Sequence, residues 1–202
     1  MTVFIDCGSH CGESILRAKH QFGNNTRIVG FEPIPYFADS LEKIWEGDET
    51  VDIVNGAVWI EDGISTFQIS TRITDGSSLI EEHGKSWQDE EVDIEVSTVD
   101  FSTFLKQFEE RNFKLVVKFD IEGAEYHVLN KMIEDGTIDY VDELWGEWHE
   151  PVTEEQKLLR ETVFNYLQEN NIQLNIWEQH IPTVGKAHDM LVERPKNLTD
   201  VL

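Results

Sequence analysis

Short apolar strands alternating with amphipathic helices predict an α/β protein: a doubly wound, mostly parallel sheet with helices on both faces. Three observations carry that expectation. The run Val3-Phe4-Ile5-Asp6-Cys7 leads into a loop bracketed by Gly8 and Gly12 and then directly into a helix. A second apolar run, Arg27–Phe31, ends in Glu32-Pro33 and again meets a helical pattern. A third, Leu115–Asp120, is apolar except for Lys118 and Asp120, as a strand buried on both faces should be. A chain of 202 residues suits one domain, residues 1–202, with a full core.

The first helix spans about Glu13 to Phe22 and is broken by Asn24-Asn25. After the second strand, Phe37, Leu41, Ile44 and Trp45 fall on one helical face. Val51–Val54 is a third strand ending at Asn55, and Glu61-Asp62-Gly63 reads as a hairpin turn into Ile64–Ser70. The polar stretch from Thr71 to Glu91 is expected to be mobile and to lie over the active site. Val92, Ile94 and Val96 alternate as a strand, and Asp100 or Ser102 caps a helix carrying Phe104, Leu105 and Phe108. Leu115–Asp120, the fourth parallel strand, runs through Glu122-Gly123-Ala124-Glu125 into a helix bearing Val128, Leu129, Met132 and Ile133. Tyr140–His149 reads as a fifth strand. Thr153-Glu154-Glu155-Gln156 is a capping box opening a helix whose buried face holds Leu158, Leu159, Val163, Phe164 and Leu167. Gln173–Trp177 and Asp189–Val192 are expected as a closing hairpin at the sheet edge.

Composition narrows the function. With 16 basic and 40 acidic residues the net charge is −24, a surface that repels phosphate backbones and argues against nucleic acid as a partner. Nothing has the pattern of a signal peptide or a spanning helix, so no membrane insertion is expected. Cys7 and Cys11, the only cysteines, are too close for a secreted disulfide framework and read as free thiols of a cytoplasmic protein. The first strand begins at residue 2 or 3, which suggests a minimal enzyme or a domain excised from a longer protein.

In an open sheet of this type ligands bind beyond the carboxyl ends of the strands. That rule selects Asp6–Gly12, Glu32, Asn55, Asp120–Glu122 and Glu147–His149. Acids at the tips of the first two strands with glycines between them suit a nucleoside carrying a positive centre, and S-adenosylmethionine is such a ligand. Glu32 can accept from both ribose hydroxyls. A dinucleotide site needs G-x-G-x-x-G so that amides reach a pyrophosphate, whereas this loop reads D-x-G-x-x-x-G and places Asp6 where a diphosphate would come close. A dinucleotide-dependent oxidoreductase is therefore the enzyme alternative, and a non-catalytic ligand-binding domain of the same fold is the other.

Taken in order, these segments resemble the FkbM-type family of class I S-adenosylmethionine-dependent methyltransferases. Phe4–Gly12 resembles its glycine motif, with His10 where Asn is usual, and Gly30-Phe31-Glu32-Pro33 its second-strand motif. Asn55-Gly56-Ala57-Val58 resembles the segment beside the adenine, and Gly76-Ser77-Ser78-Leu79 and Thr98-Val99-Asp100 two shorter blocks. Val117–Glu125 resembles the most diagnostic block, and Leu144–His149 the acid-x-His ending of strand five. The resemblance implies a Rossmann-like sheet with an antiparallel last strand. It implies S-adenosylmethionine held by Asp6, Gly8, Ser9, His10, Gly12, Glu32, Pro33, Asn55 and Ala57. The implied reaction is O-methylation of a hydroxyl on a sugar, a glycan or a similar small molecule, and a fused or neighbouring glycosyltransferase is an expected partner.

Methyl transfer to a hydroxyl needs the acceptor held in line and its proton removed. If the strands stay extended, Lys118, Asp120 and Glu122 share one face of strand four, and Trp145, Glu147 and His149 one face of strand five. Asp120, Glu147 and His149 are the catalytic candidates, with His149 as base because its ordinary pKa is near neutrality. The same three can alternatively hold Mg²⁺ or Mn²⁺ to acidify the acceptor. Lys118 reads as a buried lysine paired to an acid. Trp145 and Trp148 offer stacking faces for a sugar, although tryptophans here more often belong to the core.

Overall fold

The computed structural model describes residues 1–70, 77–80, 91–177, 190–195 and 198. In chain order the elements are β1 (Thr2–Cys7), α1 (Glu13–Phe22), β2 (Arg27–Glu32), α2 (Pro35–Ile44), β3 (Val51–Asn55), β4 (Ala57–Trp59) and β5 (Gly63–Ser70). They continue with β6 (Glu91–Asp100), α3 (Phe101–Leu105), β7 (Lys114–Phe119), α4 (Glu125–Glu134), β8 (Glu143–Gly146), α5 (Glu154–Glu169) and β9 (Leu174–Ile176). Six strands form one sheet in the order β3-β2-β1-β7-β8-β9, and every neighbouring pair in it is parallel. The order reverses at β1, which lies between β2 and β7, so the crevice for a ligand falls beyond the tips of these three strands.

Period-two alternation sends neighbouring side chains of each strand to opposite cores. Val3, Ile5 and Cys7 of β1 and Leu115, Val117 and Phe119 of β7 pack with Phe101, Leu105, Leu129, Met132 and Val163. Phe4 and Val116 point the other way, to Ile15, Phe37, Leu41 and Trp177. Two helical layers thus cover the sheet, as a doubly wound fold requires. The expected caps form: Asp100 accepts from the Thr103 N–H, and Thr153 and Gln156 close a capping box.

Three local expectations are corrected. Glu61-Asp62-Gly63 does not close a hairpin, because β6 lies between β4 and β5, parallel to the first and antiparallel to the second. The fifth strand is short, since Thr137–Tyr140 form a 3₁₀ turn and β8 stops at Gly146. The antiparallel last strand is not seen among the described residues. β9 pairs parallel with β8, and at Met190–Val192 the backbone instead crosses the glycine loop, where the Val192 N–H donates to the Cys11 carbonyl at 3.0 Å. Most of the polar stretch from Thr71 to Glu91, and Asp189, lie outside the described residues. No helix among the described residues is long and apolar enough to cross a membrane.

Candidate active site

The glycine loop is set by close approach. Gly8 has φ +94, and a Cβ there would stand 2.0 Å from the Asp120 carbonyl oxygen, so only glycine lets β1 and β7 end this close together. The Gly8 and Ser9 N–H groups both donate to the Phe31 carbonyl, at 3.1 and 2.9 Å, which draws the loop across the tip of β2. His10 takes the left-handed conformation at φ 43, and its N–H donates to Glu32 Oε2 at 2.8 Å. The Ile34 N–H donates to Glu32 Oε1, also at 2.8 Å. Glu32 is thereby buried with both oxygens fixed. Burial raises its pKa, the two N–H donors oppose the rise, and the balance with Asp6 and Lys118 leaves it at about 7.

Behind the loop lies a buried ion pair. Lys118 donates to the Gly8 carbonyl at 2.9 Å and stands 3.1 Å from Asp6 Oδ1 and 3.3 Å from Asp120 Oδ2. Burial alone would lower the lysine pKa, but the two carboxylates outweigh it and hold the ammonium charged. Ser14 Oγ donates to the other oxygen of Asp6.

A cavity of about 970 Å³, including its open mouth, lies over these strand tips. Of the residues expected to hold the cofactor, Gly8, Ser9, His10, Glu32, Pro33 and Ala57 line it. Asp6, Gly12 and Asn55 do not. Asp6 is fully buried behind the loop, committed to Lys118 and Ser14. Gly12 serves packing, since a Cβ would meet Leu41 Cδ2 at 2.7 Å. Asn55 turns its amide onto the carbonyls of Glu32 and Pro33, at 3.0 and 3.3 Å, stitching the end of β2. Ser77 and Leu79 add to the lining, and the bridge between Gln68 and Ser78 ties their segment to β5.

Beyond β7 the chain does not stay extended. Glu122 at φ 52 and Gly123 at φ 97 turn it, and Glu125 in the first turn of α4 accepts from the Ile121 and Gly123 N–H groups at 3.0 Å each. His149 fits onto this turn: Nδ1 lies 2.9 Å from Glu125 Oε1, and Nε2 lies 3.3 Å from Glu122 Oε2. Burial lowers the His149 pKa, but the Glu125 hydrogen bond and the charges of Glu125, Glu122 and Asp120 more than reverse this, raising it to about 9. The imidazole therefore carries a proton at neutral pH and is not the ready base expected from its ordinary pKa.

Ligand atoms of Asp120, Glu122 and His149 all lie within 4.8 Å of one another, close enough for a metal ion. Glu147 is not in this group. With β8 ending at Gly146, Glu147 is more than half exposed and stands 3.9 Å from His149 Nε2. Asp120 and Glu122 line the cavity, whereas His149 and Glu147 do not. Trp145 and Trp148 are not lining residues either: Trp145 packs edge-on against Trp177, and Trp148 against the core. It is Trp177 that reaches the cavity. Glu125 was missed as a functional candidate. Its signal was an acid opening a helix directly after Gly123-Ala124, where unpaired N–H groups await an acceptor.

A parallel sheet with a ligand-sized cavity at its reversal point, a glycine turn on one strand and a buried acid on the next has the Rossmann-like architecture of an α/β methyltransferase. The family description "Methyltransferase FkbM domain" matches residues 6–171, and the chain belongs to this methyltransferase family. No curated protein sequence matches the chain.

Proposed function

We propose that the chain is an S-adenosylmethionine-dependent O-methyltransferase whose acceptor is a hydroxyl of a sugar, a glycan or a similar small molecule. The observation that carries this is Glu32. It is a buried carboxylate at the lip of the cavity, and each oxygen spends one lone pair on a backbone N–H and keeps capacity for a hydroxyl. A vicinal diol is the natural complement. Gly8 offers a backbone surface with no side chain to obstruct a ligand, and Ser9, His10, Pro33 and Ala57 complete the lining on this side. When bound, the cofactor supplies an electrophilic methyl group on a sulfonium.

The chain's own residues orient the acceptor and take its proton. Asp120 lines the cavity as a carboxylate held by Lys118 and is the group we assign to receive the hydroxyl proton. Glu122 and His149 flank it, with Glu125 fixing the imidazole. Asp120 would take the proton as the acceptor oxygen bonds to the methyl group that the cofactor would supply, with a neutral thioether as the leaving group. A second reading rests on the proximity of Asp120, Glu122 and His149: a divalent cation held there would acidify the hydroxyl directly. Activity abolished by a chelator and restored by Mg²⁺ or Mn²⁺ selects that reading, and chelator-insensitive turnover selects the carboxylate.

The net charge of −24 supports a neutral small acceptor over nucleic acid, and the buried cysteines Cys7 and Cys11 suit a cytoplasmic setting. A glycan acceptor would place a glycosyltransferase immediately upstream, fused or separate. Calorimetric titration with S-adenosylhomocysteine and with NAD tests the cofactor class. Binding of the first and not the second is expected, and the reverse result would replace the reading with an oxidoreductase.

A further inference from the structure

Three cationic side chains line the cavity, Arg17, Lys118 and Arg194, in a protein of strongly acidic balance. Lys118 is committed to Asp6, Asp120 and the Gly8 carbonyl. Arg17 is differently placed. It lies on α1 with Glu13 and Ser14, which also line the cavity, as positions three and four apart on one helix face must. Its Cζ stands 4.5 Å above the Trp177 ring, and Trp177 is itself buried against Phe4 and Trp145. The stacking fixes the guanidinium plane. Nη1 is shielded from solvent and has no hydrogen-bond partner among the described residues. A buried donor left without an acceptor in a native fold calls for a missing partner.

We propose that Arg17 is the carboxylate anchor of the cavity, and that the carboxylate it takes belongs to the amino-acid end of the cofactor. This rests on the S-adenosylmethionine reading above and adds a residue that neither the glycine motif nor the strand-tip rule selects. The guanidinium is a charged fork donor whose Nη1 has no acceptor among the described residues, and Trp177 stacks against it, so a small shift onto a bound carboxylate loses little freedom. Glu32 and Arg17 then divide the cofactor between them. The acid on β2 takes the ribose, and the cation on α1 takes the carboxylate at the opposite end of the molecule.

The test compares two ligands that differ in that end. S-adenosylhomocysteine carries the amino acid, and 5′-methylthioadenosine keeps the nucleoside and thioether without it. Wild type, Arg17→Met and Arg17→Lys are titrated with both in a calorimeter; Met keeps an unbranched stem over Trp177, and Lys keeps the charge. Arg17→Met is expected to weaken S-adenosylhomocysteine by roughly 10–100-fold, the worth of charged hydrogen bonds, and to leave 5′-methylthioadenosine within about twofold. Arg17→Lys should fall between. Unchanged binding of S-adenosylhomocysteine overturns the proposal. Equal weakening of both ligands also overturns it, by showing that Arg17 merely supports the pocket through Trp177. If wild type binds neither ligand, the cofactor reading itself fails, a result separate from either of these.

Discussion

At the β2 end of the cavity a single acid, Glu32, is held by two backbone N–H groups; at the β7 end Asp120, Glu122, Glu125 and His149 sit within a web of one another's charges. The first arrangement is held by backbone donors and presents an acceptor fixed in place, which suits recognition of an unchanging ligand. The second depends on mutual pairing, so its protonation and geometry respond to what enters. On the function proposed above, the former would be the cofactor end and the latter the acceptor end. The two halves are joined by Lys118, which reaches Gly8 on one side and Asp120 on the other.

This contrast also explains what the amino-acid sequence revealed. Glu32, the glycine loop and Ala57 could be placed because local rules govern them: a strand ends, a turn requires glycine, an amide needs an acceptor. Asp6 and Asn55 fall outside the cavity lining because a strand tip says nothing of which way its side chain faces once a buried lysine or a neighbouring carbonyl competes for it. The β7–β8 side was harder. Extended geometry predicted that the tips bearing Asp120 and Glu147–His149 converge. Asp120 and His149 do come together, but the turn at Glu122 and Gly123 brings Glu122 and Glu125 to the imidazole and leaves Glu147 outside. A positive φ at a glutamate has no sequence signal, and the pairing of loops distant in the chain has none either.

The largest effect is expected at the β7 end. Asp120→Asn should lower methyl transfer by about 10²–10⁴-fold, the usual worth of a positioned proton-transfer group, and His149→Ala, which removes the imidazolium flanking it, by a smaller factor, while S-adenosylhomocysteine affinity changes little. Single-turnover rates and calorimetry on the same preparations read the split. Full turnover in both variants would move the chemistry elsewhere.

Lys118→Met should cost stability at both ends at once. Asp6 would be left buried without its counter-ion, a loss of roughly 3–5 kcal/mol, or a melting point lower by on the order of 10 °C. An unchanged melting point would show that the pair contributes specificity alone.

At the β2 end, Glu32→Ala should weaken S-adenosylhomocysteine at least about tenfold, since each charged hydrogen bond is worth roughly 1.5–3 kcal/mol. The wild-type protein should show a matching pH dependence. Glu32 titrates near 7 rather than 4.5, so affinity should fall as pH drops below about 7 and the carboxylate gains a proton. Stability moves the other way. A raised acid pKa means the folded state holds the proton more tightly, so this group's contribution is greatest below about 4.5, declines as pH rises to about 7 and is flat above. Affinity constant from pH 6 to 8 in wild type would remove Glu32 from the ligand.

The smallest effect, and the sharpest statement of the difference between the two ends, belongs to Glu147. Its side chain is more than half exposed, absent from the cavity lining and 3.9 Å from His149 Nε2, against 2.9 Å for Glu125 on the other ring nitrogen. An exposed pair at that distance is screened by water and worth well under about 1 kcal/mol. Glu147→Gln should therefore keep methyl transfer within about threefold of wild type, whereas Glu125→Gln, which removes a fully buried charge from the imidazole, should lower it several-fold more and make His149 a weaker holder of its proton. Turnover of both variants, with the His149 titration followed by NMR in each, distinguishes them. A Glu147→Gln loss equal to that of Asp120→Asn would return Glu147 to the reacting group and require β8 to extend past Gly146 when substrate is bound.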